Sequence, residues 1–509
     1  MSHSGFAKCS CQACGQHLEF PLEVADTVIN CPQCHQPTQL TVPADDPSPS
    51  QQATEAPGLN AHDMTAAFTG RVRRTPVSIL YQAALLLVSG AMVLLPLVYV
   101  ALIGVASWAV YSWAVHFKFL AGSVQGGARF YVVKLLFYLS PLFVGAVLVF
   151  FMIKPLFARR APRAQPLALS PGAEPVLFAF IARVCEIVGA PFPKRIDLDC
   201  HFNAAAGFRR GASSFLSNDL VLTIGLPLVA ALNLREFAGV LAHEFGHFTQ
   251  SFGMRLSYLI RNINGWFARL VYQRDTWDLW LEELAETEEW WTAIIVGFAR
   301  LAVWFSRMLL CGLMFLGHAI SCFMMRQMEY DADSYEIKLA GSEAFETTTR
   351  RMHLFGKALD LAYKNMRVSW NLNRNLPENF PAYLLLTEAN LPPGKRQKLE
   401  DTMGLAPTGW FDTHPSKGDR IRRARQAAEA GVFHLDGPAS ALFTAFEIPA
   451  KQVTLLHYSD DLGIDTMAAR LVPVKSAHGV GDEAQPADEP HGKPPVPGIR
   501  FKVRSTPPA

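Results

Sequence analysis

The sequence predicts a mainly α-helical chain of the α+β class, with two transmembrane helices and a small cysteine-rich domain at its N-terminal end. Half of the 509 residues are hydrophobic and only 18% are charged, against about a quarter in a typical soluble domain. Two long apolar runs lie within residues 75–157, and four of the nine cysteines form two Cys-x2-Cys pairs. The net charge of +2 gives no reason to expect nucleic acid as a partner.

Residues 1–42 carry the two cysteine pairs, each on a tight turn. The four cysteines are Cys11, Cys14, Cys31 and Cys34. Four thiolates at this spacing are typical of a structural zinc ribbon and leave no coordination position open. We therefore predict a ribbon that is stabilised by one zinc ion and folds in a reducing compartment. Such a ribbon could also bind an unknown protein partner.

Two segments have the composition of chain without a packed core. Residues 43–74 are rich in Pro, Ser, Ala and acidic residues and predict a flexible linker. Residues 475–509 are rich in Pro and Gly and predict a disordered tail.

Residues 75–157 should contain two transmembrane helices. Residues 75–117 carry no charge, and a second apolar run lies between Lys134 and Lys154. One crossing needs about 20 residues, so the first run could hold one long helix or a tight hairpin. Arg and Lys flank both outer ends, as in cytoplasmic segments. Two crossings predict an integral membrane protein of the bacterial inner-membrane type, with the ribbon and the long C-terminal domain in the cytoplasm.

The segment "NLREFAGVLAHEFGHFTQSF" predicts a helix over about 234–252. Asn233 is a good N-cap and Glu236 follows three residues later, as in a capping box. On this helix His243 and His247 lie one turn apart, so their imidazoles can bind one metal ion. Glu244 projects about 100° away and is well placed to take a proton from water at such a metal.

A catalytic zinc ion needs a third protein ligand and one open position. The segment "RQMEYDADSYEIKLAG" offers Glu329 and Asp333, four residues apart on one helical face. Glu329 could bind the metal, and Asp333 could orient a ligand histidine. Two alternatives stay open at this point: the acidic residues could form a solvated face, and His318 could compete as a ligand.

These motifs resemble those of the HtpX and CAAX-prenyl-protease type of membrane zinc endopeptidase, part of the gluzincin class. The resemblance covers about 170–425 and includes "HEFGH", "EYDAD", "FNAAAG" and "THPSKGDRI". It implies a gluzincin-like metallopeptidase domain over residues 158–474, with a small edge β-sheet. It also implies that His243, His247 and Glu329 bind zinc, that Glu244 is the general base, and that Asp333 supports a ligand.

The resemblance further implies where a substrate would bind. Asn203, Ala204 and Ala205 would lie beside the edge strand that pairs with the substrate backbone. Strand addition along residues around 213–224 would hold an extended peptide. His414 and Arg420 would lie near the cleft and could steady the oxyanion or the substrate. The helical insertion 255–325 and the ribbon depart from simple members of the family.

The predicted function is that of a membrane-anchored zinc endopeptidase that acts on proteins or peptides, with one catalytic and one structural zinc ion. Quality control of membrane proteins is one role for it. A maturation protease with one dedicated substrate is another interpretation. A third, from a different class, is a membrane scaffold that recruits partners through the zinc ribbon.

The third apolar stretch, residues 290–325, is constrained by this chemistry. Glu329 has to reach the same zinc ion as His243 and His247, and two crossings between them would need about 40 residues. We therefore favour a long helix that lies against the membrane helices or dips into the bilayer. The alternative is an active site embedded within the membrane.

Overall fold

The structure is a computed structural model that describes sixteen stretches of the chain. These are residues 6–10, 14, 17–21, 27–32, 34, 36–39, 59–73, 78–116, 128–157, 166–208, 219–249, 251–272, 280, 283–284, 290–404 and 407–474. The predicted tail, 475–509, lies outside the described residues. The chain divides into two units, residues 1–59 and 60–509.

The first unit contains two short antiparallel hairpins. Strands β1 (Phe6–Ser10) and β2 (His17–Pro21) form one, and β3 (Val28–Asn30) and β4 (Pro37–Gln39) form the other. The sulfur atoms of Cys14 and Cys31 are 3.7 Å apart. Together with Cys34 they form a group whose sulfur atoms all lie within 4.8 Å of one another. Cys11 lies outside the described residues.

The second unit is mostly helical. Its helices, within the described residues, are α1 (Ala61–Ala66), α2 (Ile79–His116), α3 (Ala128–Ile153), α4 (Pro175–Val188), α5 (Leu226–Ala231), α6 (Leu234–Gly246), α7 (Ser251–Tyr272), α8 (Trp290–Ala340), α9 (Ser342–Asn373), α10 (Phe380–Ala389), α11 (Pro393–Met403), α12 (Lys417–Ala427) and α13 (Glu447–Leu456). Short 3-10 turns cover Lys154–Phe157 and Ala439–Leu442, and a π-helical turn, His457–Asp461, follows α13.

The linker predicted over residues 43–74 is wrong for its last part. Asn60 caps α1, and three apolar side chains beyond it are buried, namely Met64, Phe68 and Val72. The ring of Phe68 lies 4.3 Å from that of Phe433. Composition alone suggested a linker because Pro, Ser and acidic residues dominate the first part of this range. The spaced apolar residues of the second part instead pack onto the domain.

Three helices are long and apolar enough to cross a membrane, judged by length and composition. They are α2, α3 with the turn that follows it, and most of α8 from Ala293. Residues 75–157 thus contain two apolar helices, as predicted, and the first uncharged run forms one helix through Pro96 instead of a hairpin. The third helix, α8, is additional to the two predicted transmembrane helices. It runs unbroken for 51 residues, about 75 Å at the rise of an α-helix.

The first half of α8 packs against α2 and α3. The hydroxyl of Tyr99 in α2 lies 2.9 Å from Ser306 Oγ in α8, and it donates to the carbonyl of Met152 in α3. Gly317 of α8 lies against Leu95 of α2, where a Cβ atom would come within 2.9 Å of Leu95 Cδ1. The predicted long helix lying against the membrane helices is therefore present, and its entry into a bilayer stays a prediction.

Helix α7 carries the chain away from the HEFGH motif and α8 brings it back. Asn264 Nδ2 donates to Ser321 Oγ at 2.9 Å, and Arg261 Nη2 donates to Glu329 Oε1 at 3.0 Å. These two contacts show that α7 and α8 run antiparallel. The pair forms a helical hairpin that begins after the HEFGH motif and ends beside it. Glu329 can therefore reach the same zinc ion as His243 and His247, as the sequence analysis required.

A four-stranded sheet lies beside α6, in the order β5-β6-β8-β7. Its strands are β5 (Leu167–Leu169), β6 (Arg195–Asp199), β7 (Ala204–Phe208) and β8 (Leu220–Gly225). Strand β8 is parallel to β6 and antiparallel to β7. A further short pair joins β9 (Asn375–Pro377) to β10 (Arg470–Val472).

Strand β7 is one edge strand of this sheet, and β5 is the other. Strand addition along the described part of residues 213–224 was therefore the wrong prediction, because β8 is hydrogen-bonded on both sides and cannot accept another strand. Residues 209–218 lie outside the described residues. The motif "FNAAAG" supplies strand β7, which pairs with β8 alone among the described residues, so the predicted binding residues Asn203 to Ala205 belong to this edge strand or lead into it.

Candidate active site

Helix α6 presents the HEFGH motif and begins as the sequence predicts. The Asn233 side chain accepts a hydrogen bond from the Glu236 amide, and the Glu236 side chain accepts one from the Asn233 amide. The helix ends at Gly246, earlier than the predicted end near 252, and His247 is its C-cap. Thr249 Oγ1 donates to the Gly246 carbonyl at 3.0 Å, which stabilises the turn before α7 begins.

Two glycines allow α6 to approach α8 closely. A Cβ atom on Gly246 would lie 3.0 Å from Cδ2 of the buried Tyr335, and one on Gly239 would lie 3.0 Å from Ala340 Cβ. The Tyr335 hydroxyl lies within hydrogen-bond distance of Thr249 Oγ1, at 3.0 Å, so its ring is held in place. This close packing explains why a poor helix former stands inside the motif. It also brings the acidic face of α8 beside the histidines.

The two histidines and Glu329 meet in one buried group. His243 Nε2 lies 3.5 Å from Glu329 Oε2, and His247 Nε2 lies 3.8 Å from Glu329 Oε1. The three ligand atoms lie within 4.8 Å of one another, and the side chains are 12%, 11% and 5% exposed. Two imidazoles and one carboxylate are the donor set of many catalytic zinc sites. The residues therefore fit a zinc ion.

The far side of His243 faces two further carboxylates. Its Nδ1 lies 3.1 Å from Asp333 Oδ1 and 3.6 Å from Glu336 Oε2. The orientation of the His243 ring does not give hydrogen-bond geometry between Nδ1 and Asp333. The two groups therefore make a close charge contact. Asp333 and Glu336 are buried, which excludes the alternative of a solvated acidic face for them.

The charges around the group act differently on its members. Burial alone would lower the pKa of His243, but the carboxylates of Asp333 and Glu329 raise it to about 10. Burial lowers the pKa of His247 well below its usual range, and the Arg261 guanidinium lowers it further. Burial raises the pKa of Glu244. A base with a raised pKa holds an abstracted proton more readily, as proton transfer at neutral pH requires.

Glu244 faces the edge strand. Its Oε2 accepts a hydrogen bond from the Ala206 amide of β7 at 3.3 Å. The carbonyl of Asn203 accepts from the Gly225 amide at 2.8 Å, which fixes the start of β7 against β8. The predicted base and the predicted binding residues are thus neighbours.

The downstream motif "THPSKGDRI" also reaches the site. His414 Nδ1 lies 3.2 Å from Glu329 Oε2. Arg420 donates to both oxygens of Asp333, at 2.8 Å and 2.5 Å. Arg420 therefore braces Asp333, and its contact with the oxyanion or the substrate stays a prediction. His318 contacts the carbonyl of Phe411 instead of joining the ligands.

Two residues at the site were missed by the sequence analysis. Arg261 of α7 lies 3.0 Å from Glu329 Oε1 and 3.3 Å from His247 Nε2. It lies in the insertion, where no motif marks it. Glu336 has no role in the prediction except in the alternative of a solvated acidic face, although its position three residues after Asp333 places both on one side of α8.

Comparison with known families agrees with this geometry. The model of Peptidase family M48 matches residues 174–428. The chain belongs to this family. The M48 region runs from the start of α4 to the end of α12 and includes every residue of the buried group.

M48 membership makes the chain a hydrolase of the metalloprotease class, from a zinc-dependent family, with proteins or peptides as substrates. The predicted resemblance is confirmed at the level of the family. The three apolar helices support association of this M48 protein with a membrane. No curated protein and no solved structure matches the chain.

Proposed function

We propose that this M48 protein is a membrane-anchored, zinc-dependent endopeptidase. His243, His247 and Glu329 would hold the catalytic zinc ion, and Glu244 would be the general base. One observation carries the proposal. Glu329, from α8, meets the two histidines of α6 in a buried group, while Glu244 faces the edge strand beside it.

The proposed reaction is direct hydrolysis of a peptide bond. A zinc ion held by His243, His247 and Glu329 would supply Lewis-acid polarisation of the scissile carbonyl and would lower the pKa of water. Glu244 takes the proton from the attacking water and passes it to the leaving amine. His414, whose Nδ1 lies 3.2 Å from Glu329 Oε2, would stabilise negative charge on the carbonyl oxygen. No covalent intermediate is needed.

Strand β7 would bind the substrate by strand addition. Its outer edge offers main-chain groups to an extended peptide, and such bonding does not depend on side chains. Residues Ala204, Ala205, Ala206 and Gly207 are small, so a peptide can approach the edge closely. Broad sequence specificity follows from this mode of binding.

The helical layout favours substrates that come from a membrane. Helix α8 runs continuously from its apolar half to Glu329, so the anchor and the site share one rigid element. We infer a role in membrane-protein quality control, of the HtpX type, with the active site on the cytoplasmic side. The charge of the flanking segments supports this orientation. A maturation protease with one substrate would use the same chemistry.

The N-terminal unit would bind a second, structural zinc ion. Cys14, Cys31 and Cys34 already lie together, and Cys11 would complete a four-thiolate set. A ribbon of this size would recruit a protein partner or substrate. This grouping of thiols is also what favours the second candidate function, a scaffold that acts through the ribbon.

A Glu244→Gln variant separates a protease from a scaffold. Membranes from cells that produce the wild type or the variant are compared by quantitative proteomics, with proteins trapped on the variant identified. We expect substrates to accumulate only with Glu244→Gln, and not with the control Glu186→Gln on exposed α4 surface. If Glu244→Gln keeps the full biological activity, the protease function is rejected and the scaffold is favoured.

A further inference from the structure

A second group of metal-binding side chains lies apart from the residues of the proposed active site. His201 belongs to the turn between β6 and β7, and His457 and Asp461 belong to the π-helical turn after α13. One ligand atom from each lies within 4.8 Å of the other two. Asp461 Oδ2 is 2.8 Å from His457 Nδ1 and 3.8 Å from His201 Nε2. None of the three takes part in the proposed hydrolysis.

The other nitrogen of each imidazole has a partner of its own. His201 Nδ1 lies 3.1 Å from Asp199 Oδ2, and His457 Nε2 lies 2.8 Å from the Tyr363 hydroxyl. Histidines that bind metals usually have their second ring nitrogen held in this way, which fixes the tautomer and the ring orientation. Both rings therefore point their remaining nitrogen toward Asp461.

Ion pairs alone do not explain why His201 lies beside Asp461. The 3.8 Å between His201 Nε2 and Asp461 Oδ2 is too long for a hydrogen bond. The side chain of His457 is 4% exposed and that of His201 is 46% exposed. The group is thus anchored in the core on one side and open to solvent on the other, so an ion can enter. Asp199 and Asp461 supply the negative charge that a divalent cation requires.

We propose that His201, His457 and Asp461 bind one divalent transition cation, such as zinc. Two imidazoles and a carboxylate are a common donor set for this ion. Ligand atoms at zinc distances from one ion stand about 3.3 Å apart. The observed separations of 2.8 Å and 3.8 Å from Asp461 thus need shifts of about half an ångström. A fourth ligand would come from solvent, to which the His201 side chain is open.

This cation would tie the C-terminal segment to the substrate-binding edge. Strand β7 starts at Ala204, three residues after His201, and its Ala206 amide contacts Glu244. His457 and Asp461 lie beyond the residues that the M48 model matches. Through this site, the C-terminal segment that carries His457 and Asp461 would hold the turn that leads into β7.

Bound zinc per chain tests the site directly. The full chain is purified in detergent, stripped with a chelator, reloaded with zinc, freed of excess ion and measured by mass spectrometry of the metal. We expect His201→Asn to bind one zinc ion fewer than the wild type. The control His434→Asn, at an exposed position, should bind as many as the wild type. Equal zinc in His201→Asn and the wild type would overturn the proposal.

A second variant leaves all three ligands in place. Tyr363→Phe removes only the partner of His457 Nε2, and we expect a loss of about 10- to 100-fold in affinity for one zinc ion. Unchanged affinity would overturn the assignment of His457 as a ligand. The His201→Asn comparison is repeated in a His243→Ala chain. A further loss of one zinc ion there shows that the result does not depend on the proposed catalytic site.

Discussion

Arg420 holds Asp333 through two hydrogen bonds, from Nε to Oδ2 at 2.8 Å and from Nη2 to Oδ1 at 2.5 Å. Asp333 in turn lies 3.1 Å from Nδ1 of His243. A planar guanidinium that bonds both oxygens fixes the plane of the carboxylate. Helix α12 therefore fixes the Asp333 carboxylate of α8 that lies against a proposed zinc ligand on α6.

Replacement of Arg420 by Lys should weaken the site although the charge is kept, because an ammonium group cannot bond both oxygens in one plane. We expect a loss of about 10- to 100-fold in zinc affinity or in kcat/KM, measured by chelator competition and by peptide hydrolysis. The control is Arg425→Lys, on the same helix, where the arginine pairs with Glu346 at the surface. Wild-type zinc affinity and kcat/KM in Arg420→Lys would show that the site does not depend on the paired hydrogen bonds from Arg420 to Asp333.

Gly246→Ala should destabilise the fold and separate α6 from α8. The new methyl group would lie 3.0 Å from the buried Tyr335 ring, and overpacking of this kind costs about 1–3 kcal/mol. Better helix propensity offsets at most about 1 kcal/mol. Gly356→Ala in α9 is the control, because no atom lies within 4 Å of its Cβ position. Thermal unfolding should show a lower melting temperature for Gly246→Ala only.

The pKa of His243 predicts two opposite responses to pH. The pKa of about 10 in the folded chain lies above the ordinary 6.5. The stabilisation from protonated His243 is therefore complete below pH 6.5 and is lost as the pH rises toward 10. With zinc removed by a chelator, the melting temperature of the wild type should fall as the pH rises over this window. The fall should be smaller in His243→Asn.

Zinc affinity should rise over the same pH window, because binding has to displace the proton of His243. His247, with its lowered pKa, has no proton to lose there. Chelator competition between pH 6.5 and 9 measures this dependence, and its difference from that of His243→Asn isolates the active site. Equal pH dependence in the wild type and His243→Asn would contradict the charge environment described for this residue.

Cys31→Ser should separate the two proposed zinc functions. Cys31 is buried within the thiol group, so its loss should remove one zinc ion per chain and unfold the ribbon. Hydrolysis of a short soluble peptide by the purified chain should stay at the wild-type rate. Cys322→Ser, at a buried cysteine of α8, is the control for zinc content. Loss of peptide hydrolysis in Cys31→Ser would contradict a recruiting role for the ribbon.

Local patterns predicted much of the site. The capping box at Asn233, the paired histidines of α6, and Glu329 and Asp333 on one face of α8 depend on helical spacing within one segment, and the structure has all of them. Gly246 is explained by a close contact between α6 and α8. Its partner Tyr335, 89 positions along the chain, could not be named because helix pairing is a long-range property.

The rest depends on tertiary structure that no short window contains. The edge position of β7 in the described sheet follows from strand order, and alternation along the strands does not distinguish β7 from β8. Arg261 reaches Glu329 only because α7 and α8 form an antiparallel pair. Met64 and Phe68 are buried against the domain although they follow a segment with the composition of a linker. In each case an inter-element contact decides the outcome.

The most direct test of the central claim is the rate of peptide hydrolysis by purified Glu244→Gln, measured together with its zinc content. Glu244 is proposed to move protons and not to bind zinc, so the variant should keep the zinc content of the wild type. General-base catalysis contributes about 10²- to 10⁴-fold, and the rate should fall by at least this factor. Hydrolysis at the wild-type rate, with zinc retained, would contradict the account.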